Sequence, residues 1–146
     1  MNKYKKSKSS LFLMELIITI LLLAICGAIC MKLFAASDSL SKKTRELNGA
    51  VACAQGFAEV MRGTDGSLEE IVKHYDKSVR TGGNLFEVYY DDGFRECTYS
   101  EAKYAGNVVL NPDGMIQNME VKIIRLKDFE EIYSLTATKY MNKIKE

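Results

Sequence analysis

Residues 11–31 read LFLMELIITILLLAICGAICM, a run in which Glu15 is the only charged side chain and Thr19 the only other clearly polar one. At about 1.5 Å per residue, a helix of this length covers roughly 30 Å, the hydrocarbon thickness of a bilayer. Only a helix satisfies its own backbone hydrogen bonds there without a partner strand. The stretch therefore reads as a single membrane-spanning helix. It is longer than the apolar core of a cleaved secretory signal, and no A-x-A-like site follows directly; Ala35-Ala36-Ser37 is the nearest candidate.

The flanks set the orientation. Upstream, residues 1–10 (MNKYKKSKSS) carry Lys3, Lys5, Lys6 and Lys8 and no acid. By the positive-inside bias this leader stays cytoplasmic and the chain after Lys32 is exported. Loss of its four cations would take the formal net charge from +1 to −3. With charges so nearly balanced overall, the chain has neither the excess of a disordered polyelectrolyte nor that of a basic nucleic-acid binder, and no nucleic-acid partner is expected.

Downstream, residues 37–62 contain no proline, and Leu40, Leu47, Val51, Ala54, Ala58 and Met61 recur at helical spacing. Ala50 and Phe57 widen this stripe, while Lys42, Lys43, Arg45 and Glu46 fall mostly away from it. The membrane helix thus continues as an amphipathic one, to be ended by Gly63 and the Thr64-Asp65-Gly66 turn. The expected divisions are a leader over 1–10, a membrane half of the helix over 11–34, an amphipathic half over 35–62 and a head over 63–146.

Within the head, Ser67-Leu68-Glu69-Glu70 has capping-box spacing and predicts a short helix to about Tyr75. The period then changes. Leu85–Tyr90 reads as a strand, Asp91-Asp92-Gly93 as a turn and Phe94–Ser100 as the returning strand. Asn111-Pro112-Asp113-Gly114 is a second turn, and Met115–Leu126 a strand with Met119, Val121 and Ile123 on one face. Ile132–Tyr140 closes the set, with Tyr133, Leu135 and Ala137 inward. The fold class is α+β: a long N-terminal helix packed on a small antiparallel sheet of about four strands. A head of this size needs the helix to complete its core.

Chemistry-bearing residues are sparse. Cys26 and Cys30 lie in the apolar segment, where thiols pack as small apolar groups. Cys53 and Cys97 fall in the exported part, where a disulfide is permitted, although Cys53 stands about 100° from the centre of the apolar stripe. His74 sits among charges in the short helix, and no HExxH, GxSxG or Walker pattern occurs. Asp91-Asp92-Gly93 and Asp113 are turn chemistry rather than calcium ligands. Neither an enzyme activity nor a metal or cofactor is expected.

Glu15 is the residue that calls for a reason. A carboxylate at full membrane depth costs at least roughly 2.5–3.5 kcal/mol, so it must be neutralised, reach the headgroups or meet a cation. One account begins the span at Leu16 and leaves Glu15 at the interface. The other supplies a cation.

The second account has a precedent. A Lys-rich leader, a small residue at Ser10, then Leu11-Phe12-Leu13-Met14-Glu15-Leu16-Ile17-Ile18 resembles the N-terminus of type IV pilins and of the pseudopilins of type II secretion and competence systems. The resemblance implies cleavage by a prepilin peptidase between Ser10 and Leu11 and N-methylation of Leu11. It also implies a fifth-position glutamate, Glu15, that serves assembly. Implied partners are other pilin or pseudopilin subunits, an assembly platform protein and membrane lipid. Ser10 stands where the family mostly has Gly, Leu11 where Phe is commonest, and no proline occurs late in the apolar helix, features that lean towards a minor pilin or pseudopilin. Cleavage would create an α-ammonium at the head of an apolar helix, able to pair with Glu15 of an adjoining copy and so fix register. Small residues at Ala24, Gly27 and Ala28 would allow close packing in lipid. The implied localisation is the cytoplasmic membrane, then a filament. The alternative is a signal-anchored single-pass protein with an extracellular binding domain.

Overall fold

The computed structural model describes residues 7–141, so most of the Lys-rich leader lies outside the described residues. The chain divides into two compact units at Lys43/Thr44. One helix, α1 (Ser7–Gly63), runs through the boundary. It is permitted by the absence of proline before Pro112 and by the Leu, Ala, Met, Lys and Glu that dominate it. Every described side chain of the first unit is exposed. Among them, Leu23 is 74% and Phe34 78% open.

The second unit is α+β. After α1 come α2 (Leu68–Val72) and five strands: β1 (Val79–Gly82), β2 (Leu85–Tyr90), β3 (Tyr104–Asp113), β4 (Ile116–Arg125) and β5 (Glu130–Tyr140). The strands form one antiparallel meander in the order β1-β2-β3-β4-β5. Its inner face carries Phe86, Val88 and Tyr90 from β2, Val108 and Leu110 from β3, and Met119, Val121 and Ile123 from β4, all buried. Tyr133, Leu135 and Ala137 of β5 pack against this core as their alternation predicts. α2 starts as predicted, the Ser67 side chain accepting from the Glu70 N–H at 3.3 Å.

The helix face that meets the sheet is the C-terminal part of the predicted stripe, with the widening residues Ala50 and Phe57 at its centre. Leu40 and Leu47 are exposed, and the buried line is Ala50, Ala54, Phe57, Ala58 and Met61. Three of these are alanine, which lets the helix lie close while Phe57 fills the centre. The Phe57 ring sits 4.6 Å from that of Tyr75 and edge-on to Phe86 at 5.9 Å. Gly106 of β3 makes room beneath it, since a Cβ there would come within 3.2 Å of the ring.

Two sequence expectations are corrected. The sheet has five strands rather than about four, and Phe94–Ser100 is not the returning strand. That segment makes a single bridge, Tyr90 to Glu96, and then a 3-10 turn at Tyr99–Glu101. β3 is what returns along β2. The cause is local. The Asp91 carboxylate accepts from the N–H groups of Gly93 at 2.8 Å and Arg95 at 3.0 Å, and Phe94 takes φ 57°, which breaks the strand. Its ring is thereby tucked against Gly49 and stacked on Tyr104 at 4.4 Å. Pro112, read as part of a turn, ends β3 where only β4 is beside it. The last β2 partner is Val109, so no hydrogen bond is forfeited there.

Candidate functional site

The first unit presents one polar group to its surroundings in the apolar run. Thr19 is satisfied internally, its hydroxyl donating to the Glu15 carbonyl at 2.6 Å. The Glu15 carboxylate makes no ion pair or hydrogen bond among the described residues. Ser10 and Leu11 lie five and four positions before it in the same helix, both exposed, so Leu11 and Glu15 share a face one turn apart. Among the described residues α1 is the one helix long and apolar enough to cross a membrane, its most apolar window averaging a mean hydropathy of 2.6. That makes it a candidate membrane span, its apolar side chains uncovered by the rest of the described chain. Cys26 and Cys30 are exposed on it, one turn apart.

The second unit secures its part of α1 at both ends. At the start, Arg125 closes a two-pronged ion pair on Glu46, with Nε to Oε1 at 2.7 Å and Nη2 to Oε2 at 2.6 Å. Its remaining nitrogen, Nη1, reaches Asp128 at 2.8 Å and Glu130 at 2.7 Å. Glu46, read from the sequence as facing away from the packed stripe, is instead half-buried against the sheet. At the other end the Lys139 ammonium donates to the carbonyls of Met61 at 3.0 Å and Arg62 at 3.1 Å, and to that of Thr64. These are carbonyls that a helix end leaves without partners, and a cation there also meets the negative end of the helix dipole.

Arg125 holds the Glu46 carboxyl below its ordinary range, and does the same to Asp128. A carboxyl depressed on folding contributes stability that is present above its unfolded value, about 4.3 for Glu, and is lost as pH falls through the folded value. Arg125→Met should abolish this contribution. Urea titrations of the full chain from pH 6 to pH 3 should therefore show a steeper acid loss of stability for wild type than for the variant. Equal slopes would remove the pair from the account of acid stability.

The other sequence candidates are not drawn together into a site. Cys53 and Cys97 are both free thiols, the first half-buried and the second buried. Burial pushes the Cys53 thiol up to about 11, with the Tyr90 hydroxyl beside it, so it stays protonated and inert near neutrality. His74 is exposed on the turn after α2. No group of three or more His, Cys, Asp or Glu among the described residues is placed to hold a metal. Arg125 and Lys139 are the functional-looking residues that sequence reading missed. A signal for Arg125 existed in the acids that flank it, Asp128 and Glu130, but nothing local named Glu46.

Comparison with known proteins finds no matching family model, no matching curated protein and no matching solved structure.

Proposed function

We propose that the chain is a type IV pilin-like filament subunit, a minor pilin or pseudopilin of a pilus, type II secretion or competence machine. Its work in this reading is assembly rather than turnover. The observation that carries it is the Glu15 carboxylate: one acid, without a partner among the described residues, one turn inside a fully exposed apolar helix. The continuation of that helix as the spine of an α+β head supports the same reading.

In this mechanism the Lys-rich leader holds the precursor with its N-terminus cytoplasmic and its head outside the membrane. A prepilin peptidase cuts between Ser10 and Leu11 and methylates the Leu11 amine. An assembly platform protein draws the subunit from lipid into a stack of like helices. There the new α-ammonium of one subunit meets Glu15 of another, and leaving either member of such a buried pair alone costs about 3–5 kcal/mol. The penalty selects one axial register from the many that apolar packing alone would allow.

Intact mass after co-expression with a prepilin peptidase tests the reading. Loss of residues 1–10 and gain of one methyl group on Leu11 is the expected result. A chain that keeps its leader under those conditions favours the signal-anchored binding protein instead.

A further inference from the structure

The apolar half of α1 is not uniform around its circumference. At about 100° per residue, Glu15, Thr19, Cys26, Cys30 and Ser37 fall within roughly 60° of arc. They are every acid, hydroxyl and thiol between Leu11 and Ser37. Ala24 and Ala28, two of the small residues from which the sequence leads one to expect close packing, lie about 150° or more away, on the opposite side. A helix surrounded by lipid gains nothing by sorting its polar groups to one side, whereas a helix packed on another does.

Towards its C-terminal end this face carries a shaped hollow. Cys30, Leu33, Phe34 and Ser37 border an open space of about 270 Å³. Their spacing is i, i+3, i+4 and i+7, that of the four residues which receive one side chain of a facing helix in knobs-into-holes packing. Cys30 and Ser37 are short and Leu33 and Phe34 long, so the hollow is deep between apolar walls. All four are exposed, so it stands uncovered by the described chain.

Charge and register together name the occupant. The Lys-rich leader orients every copy alike, so copies in one membrane are parallel. In the reading above, the Leu11 ammonium of one copy meets Glu15 of another. Ile29 stands eighteen positions beyond Leu11, five full turns or about 27 Å, and therefore on the same line along the helix. Leu33, in the wall of the hollow, stands in the same relation to Glu15. Two parallel copies joined at the ion pair thus bring Ile29 of one level with the hollow of the other. Ile29 is exposed, and its β-branched side chain is held to one preferred rotamer by the helix, as suits a knob.

We infer that α1 packs on a second copy through its Glu15 face, Ile29 of one copy seated between Cys30, Leu33, Phe34 and Ser37 of the next. The side bearing Ala24 and Ala28 faces away from that contact. The inference rests on the filament reading above and adds to it the face and the register of packing.

Two comparisons within fibres test it. Ser37→Leu fills the hollow, Ala24→Leu adds apolar bulk on the opposite side, and both keep the segment apolar enough to insert. Recovery of Ser37→Leu in the sheared fibre fraction is expected to be at least about tenfold below that of Ala24→Leu. Contact is read by co-expressing two full chains, both carrying Cys26→Ala. One keeps Cys30, and the other carries Cys30→Ala with either Ile29→Cys or Ala24→Cys. After mild oxidation of the fibres, peptide mass spectrometry is expected to find the Ile29→Cys chain bridged to Cys30 of the other chain, and the Ala24→Cys chain not. In fibres of processed chain, equal recovery of the two leucine variants or equal bridging by the two cysteine variants overturns the inference alone. A wild-type chain that keeps residues 1–10 and is absent from fibres overturns the filament reading and the inference with it.

Discussion

Glu15→Ala is expected to reduce recovery in the sheared fibre fraction by roughly two orders of magnitude, while the chain still inserts into membranes and its head still folds. The size follows from the pair proposed for assembly. Removing the carboxylate leaves the α-ammonium of the adjoining copy unpaired among apolar helices, at about 3 kcal/mol or more per contact, and every 1.4 kcal/mol is tenfold. Insertion should be unharmed or eased, because an acid leaves the apolar run. Glu15→Gln, which keeps a hydrogen-bond acceptor without the charge, should recover part of the loss. Immunoblots of fibre and membrane fractions, with limited proteolysis to follow the head, separate these effects. Normal recovery of Glu15→Ala in fibres would assign the side chain to the headgroup interface and remove the register mechanism.

The head should prove most sensitive at Phe57. Its ring is fully buried, contacts Tyr75 and Phe86, and covers Gly106, so Phe57→Ala opens a cavity at the centre of the helix–sheet interface. Such truncations cost about 3–5 kcal/mol, a large share of the 5–15 kcal/mol by which domains are ordinarily stable. Chemical denaturation of the full chain in micelles, followed by near-ultraviolet circular dichroism of its tyrosines, should show a markedly lower midpoint. Leu47→Ala, at a site 44% exposed, should change it little. An equal effect at the two positions would place Leu47 against the sheet as firmly as Phe57.

These expectations differ in how far they were legible beforehand. The apolar run, Glu15, the helix end at Gly63 and the Ser67 cap depend on neighbours within a few positions, and local sequence carries that information. β4 and β5 were legible for the same reason, their alternation being unbroken across Met119, Val121 and Ile123 and across Tyr133, Leu135 and Ala137. β3 was hidden because its inner face includes Gly106 and its end includes Pro112, both of which read as punctuation. Phe94–Ser100 looked like a strand by composition, yet the Asp91 side chain captured the N–H of Arg95 and its carbonyl that of Phe94.

From the order of its residues alone, then, this chain is committed to one very long helix, apolar at the front with a single acid in it, followed by a region of alternating strands. Those properties arise from periodicity and transfer energetics, which act residue by residue. How far along the helix that face is covered, and what fastens it, was decided by the assembled head. Glu46 meets Arg125 across 79 positions and Lys139 reaches Met61 across 78. Such contacts form only once the sheet exists to carry one partner to the other, and alanines at the contact let the helix approach closely enough for both bonds to close.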